Sequence, residues 1–331
     1  MDRPQDSAPD RPPDPALERR QDRLVTLFGG GGFLGRYVAQ ALFRTGARVR
    51  IVQRDPRSAY FLQPLAAVGQ VQFVAADLRD PAQVRAAVAG STNVVNLIGV
   101  LRGDFEAIHV DGARTIAEAA AAAGAQALVQ VSAIGADPDS PSAYGRSKGQ
   151  GEQAVRTAFP TATIVRPSLV FGREDRFVNR FAGLARLAPF LPVVRPAMRM
   201  QPVYVADVGR AVAAAVLDPA AHGGRTYELG GPQAMTMHEL MAWICRVTER
   251  DRPLVDVPDP VSKLVARLTG WLPGAPITYD QWLMLGIDNV VSPGANGLEA
   301  FAISKTPLIA VAEGWLAGYR RHGRFAARSP S

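Results

Sequence analysis

Phe28-Gly29-Gly30-Gly31-Gly32-Phe33-Leu34-Gly35 follows the apolar run Leu24 to Leu27 and leads into Tyr37-Val38-x-x-Ala41-Leu42-Phe43, whose spacing is helical. A strand, a glycine turn and a helix start in that order form the geometry that holds a dinucleotide pyrophosphate. The chemistry needs glycine because a Cβ would block the tight turn and hold the backbone away from the phosphates. Their charge is met by the orphan N–H groups at the helix amino-terminus. The spacing reads either as Gly30-x-Gly32-x-x-Gly35 or as Gly29-x-x-Gly32-x-x-Gly35. Its position after the first strand predicts a nucleotide cofactor.

Outward from this turn the elements alternate. Arg48-Val49-Arg50-Ile51-Val52 reads as a second strand, Val71 to Ala75 as a third and the continuous apolar run Val94 to Ile98 as a fourth. Helical patterns over Pro81 to Ala89 and Gly112 to Ala123 separate them, then a fifth strand at Ala127 to Val131, a helix over 146–158 and a sixth strand at Thr163 to Pro167. Such βαβα alternation predicts an α/β fold, a Rossmann-type doubly wound parallel sheet whose ligands lie outside the carboxyl ends of the strands. From Phe171 onward prolines break the alternation. Helices return at Val205 to Leu217, Met237 to Val247, Val261 to Leu268 and Leu308 to Tyr319, with a short strand at Tyr227-Glu228-Leu229. Three parts follow: a disordered tail over 1–22, a dinucleotide-binding domain over 23–170, and a smaller mixed α/β cap over 171–331 that includes returning Rossmann elements and carboxy-terminal helices.

Tyr144-Gly145-Arg146-Ser147-Lys148 puts a phenol and an ammonium one turn apart at the start of a helix. A lysine near a tyrosine favours phenolate and lowers its pKa toward neutrality, so that it can exchange a proton with a carbonyl or alcohol beside a nicotinamide. Ser132, closing the fifth strand, is the matching donor to a substrate oxygen. Ser132, Tyr144 and Lys148 are therefore the expected catalytic residues. On the motif alone Tyr-x-x-x-Lys is common, and the pair is as well explained by helix packing; after the fifth strand of a glycine-headed unit it gains meaning. So placed, the chain resembles the short-chain dehydrogenase/reductase superfamily in its extended or atypical branch. That resemblance implies cofactor contacts at Gly29, Gly32, Phe33, Leu34 and Gly35 in the turn, at Asp77-Leu78 beside the adenine, at Leu97-Ile98-Gly99 beside the ribose and nicotinamide, and at Val131, Tyr144, Lys148 and Pro167. Asp77 as a helix cap and Gly99 as a plain turn are the alternatives.

The end of the second strand bears on which nicotinamide cofactor binds. An NAD site usually has a carboxylate there for the ribose hydroxyls. This chain has Gln53-Arg54, and Arg36 follows the last glycine. Positive charge at that place predicts NADPH; Asp55 reaching the ribose instead would mean NADH.

Further segments carry a narrower resemblance. They are Phe171-Gly172-Arg173-Glu174-Asp175-Arg176-Phe177, Gln201-Pro202-Val203-Tyr204-Val205-x-Asp207-Val208, Tyr227-Glu228-Leu229-x-Gly231-Pro232 and Asp288-Asn289-Val290-Val291. With Ser142 to Lys148 and Phe159 to Ser168, they are similar to the NAD(P)H-binding accessory subunit family of respiratory complex I over roughly residues 22 to 320. The resemblance implies an NADPH-binding protein of the respiratory membrane with a mainly structural or regulatory role, partnered by complex I or another inner-membrane assembly. An active NAD(P)-dependent oxidoreductase, epimerase or dehydratase is the alternative, since Tyr144 and Lys148 serve ribose binding and catalysis equally. The charged Phe171 to Phe177 segment also reads as a loop closed by its own Arg–carboxylate pairs.

Composition narrows the setting. The 331 residues carry a net charge of +7, resting on arginine, with lysine only at 148, 263 and 305. No basic run with interleaved aromatics speaks for nucleic acid. Cys245 stands alone and His109, His222, His238 and His322 are isolated, so no disulfide or metal site is expected and the histidines read as surface or structural groups. No stretch offers the roughly eighteen uninterrupted apolar residues of a membrane span. A cytoplasmic protein, peripheral on the inner face of a bacterial inner membrane, is expected, with Trp271, Trp282 and Trp315 as aromatic contacts of its carboxy-terminal helices.

Overall fold

Every side chain of β1 (Leu24–Phe28) is buried, which an apolar run reaches only as an inner strand covered on both faces. The computed structural model describes residues 23–272, 275, 277–321 and 323, so the expected tail and His322 lie outside the described residues. After β1 come β2 (Arg48–Gln53), β3 (Val71–Ala75), β4 (Asn93–Asn96), β5 (Ala127–Val131) and β6 (Thr163–Pro167). The short strands β7 (Val170–Phe171), β8 (Leu191–Val194), β9 (Arg199–Met200) and β10 (Val203–Tyr204) precede β11 (Thr226–Leu229), β12 (Met235–Thr236) and β13 (Leu254–Val257). Seven strands form one sheet in the order β11-β6-β5-β4-β1-β2-β3, and every neighbouring pair in it is parallel. This is the doubly wound, Rossmann-type sheet expected from the sequence. Its order reverses between β1 and β4, where the ligand crevice of such a sheet opens.

Helices cover both faces. On one lie α1 (Phe33–Phe43) and, from far along the chain, the apolar side of a helix over Val205–Leu217; Val38, Leu42, Val208 and Val212 pack there on Val25, Leu27, Val49 and Ile51. On the other lie α2 (Pro81–Val88), α3 (Gly112–Ala122) and α4 (Ala143–Ala158), where Val84, Ala113, Ile116 and Val155 pack on Phe28, Val52, Leu128 and Ile164. Each fully buried side chain of this size contributes about 1.5–3 kcal/mol. The chain then adds α5 (Val178–Leu187), α6 (Val205–Leu217), α7 (Pro219–His222), α8 (Met237–Val247), α9 (Asp259–Thr269), α10 (Tyr279–Met284) and α11 (Leu308–Leu316). Its second cluster joins Phe171, Val178, Met200, Leu240, Ile244, Leu308 and Leu316 from β7, α5, β9, α8 and α11. The chain beyond Phe171 thus serves both bodies: α6 and β11 return to the sheet, while α5, α8 and α11 pack together beside it.

Local chemistry sets the element ends. Asp80 accepts the N–H groups of Ala82 and Gln83 ahead of Pro81 and so starts α2, while Thr236 and Glu239 form a reciprocal capping box at α8. The fourth strand stops at Asn96, two residues before its expected end. There the Asn96 Oδ1 accepts the Ile98 N–H at 3.0 Å, turning the chain out of the sheet. Helix α4 begins at Ala143 and not at 146, because Ser142 Oγ accepts the Gly145 N–H at 3.2 Å.

Candidate functional site

Gly29 turns the chain with φ +81, in the left-handed region that favours glycine. Its N–H donates to the Val52 carbonyl at 2.9 Å, and the Gly32 N–H donates back to the Gly29 carbonyl at 3.0 Å. At Gly35 an added Cβ would run into the carbonyl oxygens of Gly29 and Gly30, so α1 lies directly against the turn. At Gly32 the same Cβ would meet only the Gly29 carbonyl, at 3.1 Å, and otherwise open space. No side chain caps α1 at Gly32. An uncapped helix start with an open glycine approach suits a pyrophosphate. Gly31 and Gly30 serve packing, against Gln53 with Ala59 and against Ile51 with Leu27.

The ribose end departs from the simple reading. Gln53 is engaged: its Oε1 accepts the Gly31 N–H at 3.0 Å, and its Nε2 donates to the Asp55 carbonyl at 2.7 Å and to Ser58 Oγ at 2.5 Å. Asp55 is engaged as well. It caps the 3-10 helix over Pro56–Leu65 and binds the Arg57 guanidinium at 3.0 Å, which holds its carboxyl below the ordinary range. Arg54 is exposed. Arg36 stacks on Phe61 at 4.7 Å and sits 3.4 Å from Glu174, so most of its charge is met within the chain, although its buried Nε has no partner. Glu174 also accepts from Tyr37 Oη at 2.8 Å, and Asp175 is buried, accepting the N–H groups of Gly172, Phe177 and Val178. The charged segment is therefore not closed by its own pairs. It reaches across to the first turn of α1. Asp77 is bound by Arg79 at 2.5 Å and held at about 2 by that guanidinium, with a smaller push from Arg54. Leu78 beside it is buried against Gly112.

Across the crevice, Leu97, Ile98 and Gly99 leave β4, and the Ile98 side chain packs close to Gly29. Gly99 faces the Lys148 Nζ and the His109 Nε2. Lys148 is buried and donates to the Val131 carbonyl at 3.1 Å; burial lowers its pKa to about 8. Tyr144 stands half-buried at the first turn of α4, its ring edge-on to Phe105 and His109. Burial raises its phenol to about 12, and no lowering by Lys148 offsets it. In this state, then, the expected approach of the phenol to neutrality is absent, because the lysine is itself desolvated and turned to a carbonyl. Ser132 Oγ is buried and has no hydrogen-bond partner. Pro167 ends β6 beside it, its carbonyl accepting the Ile134 N–H at 3.1 Å.

Two residues carry more than the sequence suggested. His109 lies in a π-helical turn over Glu106–Asp111, where its Nε2 accepts the Val100 N–H at 3.0 Å and its Nδ1 lies 2.9 Å from Ser147 Oγ. An accepting Nε2 requires the proton on Nδ1, so the ring is neutral and ties the loop after β4 to α4. Asp280, from α10, accepts the N–H groups of Ala143 and Tyr144 at 2.6 and 3.2 Å and so closes the amino-terminus of α4. An acid adjoining a helix start from so far along the chain leaves no local signal in the sequence.

Residues 29–183 match the model of a family described as NAD(P)H-binding. The chain is 38% identical over 293 residues to the mitochondrial NADH dehydrogenase (ubiquinone) 1 alpha subcomplex subunit 9 of Rattus norvegicus, an alignment that spans 86% of this chain and 77% of that one. It is 33% identical over 244 residues to a protein of Caulobacter vibrioides named ceramide reductase, spanning 72% and 74% of the two chains. Among solved structures, the NADPH-dependent quinone oxidoreductase of Escherichia coli with NADPH superposes with a TM-score of 0.71 at 20% identity, over 88% of this chain and 99% of that one. At that identity the superposition speaks for the fold alone.

Proposed function

The chain belongs to the family of the complex I alpha subcomplex subunit 9, and from that premise we propose that it holds NADPH within a respiratory-membrane assembly of the complex I type, in a mainly structural or regulatory role. One observation carries the reading: the likeness to that subunit runs over 86% of the chain and so takes in the elements beyond the sheet as well as the cofactor domain. In this reading the N–H groups of Phe33 and Leu34 hold the pyrophosphate over the open approach at Gly32, and Arg54 holds the 2′-phosphate. Asp77 and Leu78 border the adenine, and Leu97 to Gly99, Val131, Pro167, Tyr144 and Lys148 enclose the ribose and nicotinamide. A bound NADPH supplies a hydride donor; the residues named here orient it and keep water from it. The preference over NADH is supported by Asp55, whose carboxylate is already bound by Arg57, and by Arg54, which is free to reach a phosphate.

No helix among the described residues is long and apolar enough to cross a membrane, and the expected place is peripheral, on the inner face of the inner membrane. Purifying the native protein from gently solubilised membranes tests the assignment. Co-migration with other respiratory subunits, with NADPH released on denaturation, is the expected result. A free protein carrying NADH, or none, overturns it.

One observation favours a second reading, an active NAD(P)-dependent reductase. Ser132 Oγ is buried without a partner among the described residues, one residue past Val131, whose carbonyl holds Lys148, as a donor awaiting a substrate oxygen would be, and a relative of this chain bears the name of a reductase.

A further inference from the structure

A cavity of about 470 Å³ opens where α8 ends, and none of its lining residues belongs to the nucleotide crevice. Helix α8 closes through Glu249, which stands at φ +53, a left-handed position that helices usually give to glycine. The Glu249 N–H donates to the Arg246 carbonyl at 3.1 Å and the Arg250 N–H to the Cys245 carbonyl at 2.9 Å. This closure folds Arg250, Asp251 and Arg252 back beside Arg246 of the last helical turn, and all four line the cavity.

The guanidiniums are held but not neutralised. Arg250 donates through Nε and one Nη to the Tyr319 carbonyl at 3.2 and 3.1 Å, and Arg252 donates through Nε to the Ala185 carbonyl at 3.0 Å. A neutral carbonyl fixes the direction of a guanidinium and leaves its charge unmet, with further N–H groups to spare. Neither these two nor Arg246 makes an ion pair among the described residues. Of the two acids in the lining, Glu249 is bound by Arg320 at 3.2 Å, so three arginines face Asp251 alone. The carboxyl end of α8 adds little opposing charge, because its last carbonyls are taken: Ile244 by Thr248, Cys245 by Arg250, Arg246 by Glu249 and Val247 by Arg320.

The rest of the lining is Ala242, Cys245 and Leu254. It holds no hydroxyl, amide or aromatic ring to read a sugar or a base, which favours a compact anion on an apolar stem. Apolar surface continues outward. Arg252 binds the end of α5 and the Leu191 N–H donates to the Pro253 carbonyl at 2.9 Å, so the turn between them, with Leu187 and Phe190 at 77% and 47% exposure, is held beside the segment that carries Arg252.

We propose that this cavity binds a phosphate monoester carried on an apolar chain, with Arg246, Arg250 and Arg252 around the phosphate and Leu254 against the chain. Guanidinium forks fixed in advance suit the oxygens of a phosphate. The proposal stands apart from the nucleotide reading and does not rest on it.

The test loads the full chain with NADP+, which fills the nucleotide crevice, and titrates it by calorimetry with octyl phosphate, octyl glucoside and inorganic phosphate. One octyl phosphate per chain is expected, with inorganic phosphate competing more weakly and octyl glucoside failing to bind. Arg252→Gln and Arg246→Gln should each weaken octyl phosphate about tenfold or more, the loss of a charge-assisted contact, with NADP+ affinity unchanged. Arg246 is exposed, so its variant keeps the test valid should Arg252→Gln fold poorly. Sedimentation with phosphatidylcholine vesicles that carry phosphatidic acid, lost in the same variants, makes the source of the phosphate a lipid headgroup; octyl phosphate binding without sedimentation makes it a soluble ester. Octyl glucoside or inorganic phosphate binding as tightly as octyl phosphate, binding that neither arginine substitution weakens, or no binding of octyl phosphate would each overturn the proposal. A chain that takes up no NADP+ yet keeps octyl phosphate would defeat the cofactor reading and leave this one standing.

Discussion

Two glycines three residues apart have opposite jobs. At Gly35 a methyl group would strike the carbonyls of Gly29 and Gly30, whereas at Gly32 it would meet only the Gly29 carbonyl, at 3.1 Å. Gly32→Val should therefore fold with a near-normal melting temperature and fail to retain nucleotide, since the side chain fills the approach to the helix start. Gly35→Ala should lose nucleotide and also about 1–3 kcal/mol of stability, the range for overpacking. Thermal melting alongside assay of nucleotide released on denaturation separates the two, and a Gly32→Val protein that keeps its nucleotide would refute the cradle. Arg54→Ala should weaken NADPH by about 1–3 kcal/mol and leave NADH unchanged, as removal of a charge-assisted contact does; equal losses for both, read by fluorescence titration, would reject the 2′-phosphate role. The glycines, Tyr144 and Lys148 were legible in the sequence because their spacing is itself the geometry. The engagement of Gln53 with Gly31 and Ser58, and of Arg36 with Glu174, was not, because it depends on where a 3-10 helix and a distant loop come to rest.

Among the elements, the π-helical turn over Glu106–Asp111 matters most to the site, since His109 on it joins the loop after β4 to α4. Burial, aided by the Lys148 ammonium, pushes the His109 pKa from 6.5 to about 3. Above about pH 6.5 the ring is neutral in both folded and unfolded chains; below it the unfolded chain takes up a proton that the fold refuses. Stability should thus fall as the pH drops through that window toward 3. His109→Gln should remove this part of the fall, seen as a difference between the urea midpoints of the two proteins that shrinks with acidification; parallel curves would exclude it. A second link joins α4, β6 and β11. Arg166 bonds Glu152 at 2.7 Å and reaches Glu228 at 3.6 Å, and both acids are almost wholly buried. Arg166→Ala should cost about 3–5 kcal/mol, because it strands two carboxylates away from water, and an unchanged denaturation midpoint would show them otherwise satisfied. Strand positions were readable from continuous apolar runs, whereas α5 and the short paired strands were not, since prolines and mixed polarity blur their period over so few residues.

At the scale of the whole molecule, the two bodies are knotted at the carboxyl ends of β5 and β6. Ser168 Oγ donates to Asn289, Asn289 Nδ2 donates to the Ile134 carbonyl at 3.3 Å, and Gln201 bridges Gly231 and Val291. Apart from Ile134, these are residues of the segments on which the family resemblance rests, so in this fold those segments build the joint at the carboxyl ends of β5 and β6. Trp282 and Trp315 are packed inside this assembly and only Trp271 of the expected aromatic trio stands out to solvent. The two proposed readings, cofactor holder and reductase, ask different things of Tyr144, and the cell can be asked which it uses. If the phenol only positions the ribose, Tyr144→Phe keeps the ring packing on Phe105 and His109 and should complement a deletion strain fully, while Gly32→Val should not. If the protein turns over substrate, loss of the phenol proton removes a general acid worth about 10²–10⁴ in rate, and Tyr144→Phe should fail as badly as the glycine variant. We expect complementation by Tyr144→Phe. Oxidation of bound NADPH by an added carbonyl compound, abolished in the Tyr144→Phe protein, would reverse that expectation and make the phenol a proton donor.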